Sequence, residues 1–349
     1  MQISRTRPHL RTLSAWWLLA VWLLATSPDA SSPTVADRLD ALIAFERESG
    51  AMPPRLRREA IERRFTAYFS GSYAKDTLAH MDDNDLKDLF RAAQLHAFHS
   101  PDPRALDDLR AAYLELTARG AKVRFHALSL HRAFLWHRRF EDAAALDAEA
   151  DLEMPSFEAR RLPPEDNSLQ SIWMVDKDGL GIDQHSLGID ELPHIVMITQ
   201  PHCGFSQRAM AAIARNPDAA ALFGRDALIL IPPKINFDIA AVHRWNTAQP
   251  KLPMVFANRE NEWPEFTHWE TPVFYFLRDG KVTDRVVGWP NDERIGDLLR
   301  IARKRGLLTL GRATHQNIGE EFPAPKNART SSTDRVRANG GNESRKVRP

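Results

Sequence analysis

The chain has a single cysteine among 349 residues, and the stretch around it has the most definite chemistry. Cys203 lies in Gln200-Pro201-His202-Cys203-Gly204-Phe205-Ser206, between an apolar strand-like run, Ile195 to Ile198, and a helix-like run, Gln207 to Arg215. A thiol where a strand hands over to a helix meets unpaired backbone N–H groups and the positive end of the helix dipole. Both favour the thiolate over the thiol. Ser206 is placed to donate a hydrogen bond to that thiolate, and His202, when protonated, adds a positive neighbour. The chemistry such a group performs is attack on a disulfide sulfur to give a mixed disulfide. The competing reading is an inert buried cysteine that packs like a small hydrophobe.

Other clusters carry less. His96 and His99 stand at i, i+3; His126 and His131 share one expected helix, with His137 near its end. None has the spacing of a standard zinc site, and they read as helix-surface or interhelical residues. The run Asp82-Asp83-Asn84-Asp85 lacks the glycine and terminal glutamate of a calcium loop and reads as helix capping. There is no P-loop, dinucleotide fingerprint or serine nucleophile elbow. No metal and no cofactor is therefore expected. Lys and Arg number 47 against 46 Asp and Glu, a net charge of +1, so overall charge argues for neither nucleic acid nor a membrane surface as partner.

Length allows two domains, each with a core. Residues 1–30 have the layout of a secretory signal peptide: Arg5, Arg7 and Arg11, an apolar run from Leu13 to Ala25, then Thr26 and Ser27. Left uncleaved, the same segment would serve as an anchor. Export, to a bacterial periplasm, places the lone thiol in an oxidising compartment where disulfides are usual.

Residues 34–152 read as an α-helical domain. Apolar stripes run through Leu39, Leu42, Ile43 and Phe45, through Leu56, Ile61, Phe65 and Phe69, and through Leu86, Leu89, Phe90 and Leu95. Helices over Leu106 to Ala118 and Val123 to Trp136 follow, with Gly120 between them as a C-cap. Phe125 to Ala150 resembles one half of a tetratricopeptide-type hairpin, without the sustained repeat of a solenoid. Residues 153–168, with Pro155, Pro163 and Pro164, read as a linker.

The pattern then changes. Ile172 to Val175, Ile195 to Ile198, Ala227 to Ile231 and Val273 to Leu277 read as strands. Phe237 to Thr247 reads as a helix, and Asp279-Gly280 as a hairpin turn into Val282 to Val287. A last helix carries Ile295, Leu298, Leu299 and Ala302. This order predicts a mixed sheet with helices on both faces over residues 169–308. Residues 309–349 are basic and poor in apolar side chains, as in a disordered tail.

Three features together resemble the thioredoxin superfamily: Cys203-Gly204-Phe205-Ser206 after a strand, Thr271-Pro272 before the next long strand, and the Asp279-Gly280 turn with Gly288 closing the second hairpin strand. The resemblance covers about residues 170 to 306 and implies an α/β thioredoxin-like domain after the all-α one. It further implies that Cys203 is the nucleophile, that Pro272 is a cis-proline facing it, and that Thr271 offers backbone contacts to substrate. An insertion is expected over Leu252 to Trp269, either rimming the site or adding to the core.

Departures from the family pattern shape the expected function. Ser206 replaces the second cysteine, His202 stands where an aromatic residue often precedes the first, and Met197 occupies the place of a buried acid. The tetrapeptide is also similar to that of monothiol glutaredoxins, but their lysine ahead of the motif is missing and an exported chain is a poor cluster carrier. The expectation is an exported monothiol thiol-disulfide oxidoreductase, forming mixed disulfides with protein or small-molecule thiols and disulfides. The alternative is a redox-inactive thioredoxin-fold scaffold that binds a partner through its helical domain.

Overall fold

The structure, a computed structural model, describes residues 32–121, 123–162, 170–187 and 192–308. The segments expected as signal peptide (1–30) and basic tail (309–349) lie outside the described residues, as does part of the expected linker. The chain forms two compact units, divided between Pro155 and Ser156. Among the described residues, no helix is long and apolar enough to cross a membrane.

The first unit is helical: α1 Val35–Glu48, α2 Pro54–Phe69, α3 Lys75–His80, α4 Asp83–His99, α5 Ala105–Ala118, α6 Arg124–Trp136 and α7 Phe140–Ala150. Local chemistry sets several of its boundaries. Thr34 and Asp37 form a reciprocal capping box at the start of α1, which satisfies donors that a helix N-terminus leaves free. Asp82 accepts from the Asn84 and Asp85 N–H groups at the start of α4, so the acidic run is a cap. Helix α4 is central, packing against α1, α2, α5 and α6. It buries Leu86, Leu89 and Phe90 completely.

The second unit contains β1 Glu158–Arg160, β2 Gln170–Val175, β3 Gly181–Leu187, β4 Ile195–Ile198, α8 Gly204–Arg215, α9 Pro217–Asp226, β5 Ala227–Ile231, α10 Ile239–Ala248, β6 Met254–Ala257, β7 Val273–Arg278, β8 Lys281–Val287 and α11 Arg294–Lys304. The strands form one mixed sheet in the order β1-β3-β2-β6-β5-β4-β7-β8. Strands β4, β5 and β6 are parallel, and β7 runs antiparallel to β4. From β4 the elements run α8, α9, β5, α10, β6, β7, β8 and α11, the alternation expected from the sequence with α9 and β6 added. At the β7–β8 turn, Asp279 and Gly280 both take positive φ, 51° and 70°, as a tight hairpin of matching twist requires.

Several elements differ from expectation. Within the span read as a linker, Glu158–Arg160 pairs with β3 as a parallel edge strand. Strand β3 is polar along much of its length, so its sequence lacks an apolar signal. Helix α9 begins with Pro217 in its first turn and is capped by Asn216, whose side chain accepts from the Ala219 N–H at 3.0 Å. Strand β6 lies inside the expected insertion and adds a central strand to the sheet.

The expectation of helices on both sheet faces is also corrected. Register places Met197, Ile229, Met254 and Phe274 side by side on one face. Phe223 of α9 and Trp289, ahead of α11, both meet Phe274 there, with ring centroids 6.0 and 5.7 Å apart. On the opposite face, Val196, Ile198, Leu230, Val255, Val273 and Tyr275 pack with Trp263 and Phe266 in a cluster that, among the described residues, holds no α-helical residue. Phe266 stacks between Trp263 and Tyr275 at 5.3 and 4.5 Å. The segment after β6 thus serves as core, its aromatic area replacing a helix.

Candidate functional site

Cys203 stands at the N-cap of α8, five residues beyond the end of β4. Antiparallel pairing of β4 with β7 sets Ile198 opposite Val273, so the end of one strand and the start of the other share an edge. This register brings Thr271-Pro272 to the cysteine. The Thr271–Pro272 peptide is cis. The Cys203 S–H donates to the Thr271 carbonyl, with Sγ and O 3.3 Å apart.

The neutral thiol makes no capping bond to α8; ionisation changes what surrounds it. Burial by itself pushes the Cys203 pKa up. The Thr271 and Ser206 hydroxyls and the Ser206 and Phe205 backbone N–H groups pull it down, and the net direction is below the ordinary thiol value. The backbone donors are the free N–H groups of the first helical turn, where an anion is favoured. Ser206 is buried, and its Oγ has no nitrogen or oxygen partner among the described residues. A thiolate supplies the missing partner, so ionisation relieves a buried polar group as well as creating a charge.

Thr271 is held in turn. The Gln200 side-chain amide donates to the Thr271 hydroxyl at 3.3 Å, leaving the hydroxyl proton free to point at the sulfur. Gln200 belongs to the quoted motif run, but its type alone gives no hint of this contact.

His202, adjacent to Cys203 in sequence, has Asp238 as its hydrogen-bond partner. Its Nε2–H donates to the Asp238 carboxylate at 2.9 Å, with the imidazole half exposed. Asp238 also caps α10, accepting from the Ala241 N–H at 2.8 Å. Burial pushes the Asp238 carboxyl up, but that capping bond and His202 pull it down more. His202 thus makes a loop-to-helix contact through Asp238. Asp238 is 36 residues away in sequence, and nothing local marks it as the histidine's partner.

Beside the thiol the surface is apolar and positive. Phe205 is 52% exposed, and the Arg208 guanidinium sits over its ring at 4.6 Å. The site therefore combines a partly buried thiol, donors that favour its anion and an open aromatic surface. Met197, at the place where the resemblance implies an acid, is fully buried among apolar residues.

Comparison with known proteins adds little. No family model matches the chain, and no curated protein matches it. Among solved structures, a thioredoxin-like protein from Bacteroides caccae matches with 11% identity over 81% of this chain and 99% of that one. The TM-score is 0.25, too low to bear on the fold or the site.

Proposed function

We propose that this protein is an exported monothiol thiol-disulfide exchange protein acting through Cys203. The observation that carries this reading is the sulfur's setting at the α8 N-terminus, where Thr271 and Ser206 hydroxyls favour its anion. In the first step the Cys203 thiolate attacks one sulfur of a partner disulfide. That S–S bond breaks, the other sulfur leaves as a thiolate, and a new S–S bond joins Cys203 to the partner. An external thiol, as its thiolate, then attacks the mixed disulfide and releases either Cys203 or the partner as thiolate. Ser206 cannot take the resolving role, since its hydroxyl does not exchange with disulfides. Thr271 and Pro272 contribute the surface against which a partner's extended backbone lies.

A disulfide such as oxidised glutathione, incubated with the native chain, is expected to give one adduct by intact mass. The adduct maps to Cys203 and is absent in Cys203→Ser. Labelling only after unfolding would overturn the proposal. A second reading, a redox-inactive binding module, is favoured by the apolar burial of Met197 where proton transfer would call for an acid. It requires Cys203→Ser to retain full function in the cell.

A further inference from the structure

The surface around Cys203 carries a charge that the fold leaves unused. Arg208 lies on α8, one turn beyond Gly204 and Phe205, and is exposed. A helical side chain leans toward the N-terminus of its own helix, over the preceding turn. The Arg208 guanidinium sits accordingly over the Phe205 ring at 4.6 Å, and a Cβ at Gly204 would lie 3.8 Å from its Nη1. It thus covers the residue that directly follows Cys203.

No carboxylate answers this cation. Among the described residues, Arg208 has the Phe205 ring as its contact and no ion pair, whereas Arg215, at the other end of α8, pairs with Asp292 at 3.0 Å. Its polar neighbours are committed elsewhere. Gln207 donates to the Pro201 carbonyl at 2.8 Å, and His202 holds Asp238. The first turn of α8 has no acidic residue, although that is where acids are favoured. A cation stationed at a helix start opposes the dipole instead of being stabilised by it, so the position favours an anion brought from outside.

The ring under the guanidinium is itself open to a partner, Phe205 being exposed two residues from the sulfur. The next residue, Ser206, is 1% exposed, and its Oγ lacks a nitrogen or oxygen partner among the described residues. The turn therefore carries, on its buried side, a donor that serves the sulfur. On its exposed side it carries a cation stacked on an aromatic ring, an arrangement that suits a carboxylate beside an apolar group.

Resting on the thiol-disulfide exchange reading above, we propose that Arg208 and Phe205 select the partner, a disulfide with a carboxylate and an apolar side chain beside its reacting cysteine. Arg208 pairs with the carboxylate, and the Phe205 ring takes the apolar side chain. The chemistry stays at the sulfurs. The Cys203 thiolate bonds to the sulfur of the acidic cysteine, the old S–S bond breaks, and its electron pair leaves on the other sulfur as a thiolate. Arg208 makes and breaks no bond; it sets which disulfide reaches the thiolate. The carboxylate has two sources, an acidic residue of a peptide or protein, or a small anionic disulfide.

Rates of adduct formation on the full chain test this. The probes are symmetric disulfides of the blocked tripeptides Phe-Cys-Glu, Phe-Cys-Gln, Phe-Cys-Lys and Ala-Cys-Glu, with dithiodipropionate as the small anion. Each rate is divided by that of mercaptoethanol with the same disulfide, which cancels differences between leaving thiols. At about 10 mM salt the Glu peptide should react roughly tenfold faster than the Lys peptide, with Gln between, and the ratio should shrink toward one at about 1 M. Arg208→Gln should bring the ratio near one, Arg208→Lys should keep it and Arg208→Glu should invert it. Because the ratio is taken within one chain, a change in Cys203 ionisation does not move it. Arg215→Gln removes the same charge at the far end of α8 and should leave it in place. A normalised rate higher for Phe-Cys-Glu than for dithiodipropionate assigns a peptide partner; the reverse assigns a small anion. Equal rates for the Glu and Lys peptides, or a ratio unchanged in Arg208→Gln or equally lost in Arg215→Gln, overturn the selection alone. Equal rates for Phe-Cys-Glu and Ala-Cys-Glu overturn the part given to Phe205. No adduct with any disulfide, the Gln peptide included, overturns the exchange reading and the selection with it.

Discussion

Thr271 contacts Cys203 in two opposed ways across 68 residues of sequence. Its carbonyl accepts from the S–H at 3.3 Å, an interaction only the thiol makes, while its hydroxyl favours the thiolate. The same residue thus stabilises both protonation states, and the balance passes to Ser206 and the α8 backbone donors. Those act on the anion alone, which tips the sulfur toward ionisation.

Removing either hydroxyl should slow the thiol. In Thr271→Val and Ser206→Ala, the pH midpoint of Cys203 alkylation by iodoacetamide is expected to rise. The rate at pH 6 should fall roughly three- to tenfold in each. His202→Ala should leave that midpoint in place, because its imidazole engages Asp238. A midpoint that moves only in the His202 variant would transfer the control of ionisation to the imidazole.

Restoring a second thiol should change the reaction cycle. Ser206 occupies the third position of α8 and is 1% exposed, a sheltered place from which a cysteine would attack a mixed disulfide on Cys203. In Ser206→Cys, adducts on Cys203 are expected to decay without added thiol, leaving a chain two hydrogens lighter by mass. In the natural chain the adduct should persist until a thiol is added. Equal adduct lifetimes would show that the two side chains do not face each other.

Ionisation should also couple to stability. The folded Cys203 pKa lies below its ordinary value, so between the two the unfolded chain holds more protons and stability rises with pH. The contribution is complete above the ordinary thiol range and is lost as pH falls through the depressed folded value. Urea midpoints of the natural chain, measured against Cys203→Ser, should therefore diverge as pH rises through that window. Parallel curves would mean the thiol titrates alike in both states.

The aromatic segment before Pro272 is expected to support the site through packing. The Tyr275 hydroxyl accepts from the His268 N–H at 2.8 Å and donates to the His268 carbonyl at 2.9 Å, tying the segment to β7. Tyr275→Phe should cost about 1–3 kcal/mol by leaving that backbone unpaired, and Phe266→Ala about 3–5 kcal/mol, both read from denaturant unfolding. If Tyr275→Phe is less stable yet alkylates like the natural chain, the tie serves the core without positioning Thr271.

Much of the second unit was legible because its strongest signals are local. Four continuous apolar runs mark β2, β4, β5 and β7, and Asp279-Gly280 marks the hairpin, since positive φ restricts which residues fit there. Strand β1 carries little signal because it is a three-residue edge strand, and β3, paired on both sides, because its residues are largely polar. Strand β6 is four residues long, and among Trp263, Phe266 and Trp269 its composition resembles a loop of extra core.

The helix-start position of Cys203 is written in the order of residues near it, because dipole and free N–H groups follow from the strand-to-helix switch alone. Ser206, three residues on, is legible there too as a donor to the sulfur. Thr271 and Gln200 meet the sulfur's surroundings only through the β4–β7 register, and His202 meets Asp238 only through the cap of α10. Residue order specifies which groups a chain carries near one another; only the folded sheet brings a threonine 68 positions away within hydrogen-bonding reach of the sulfur and turns the histidine beside it toward another partner.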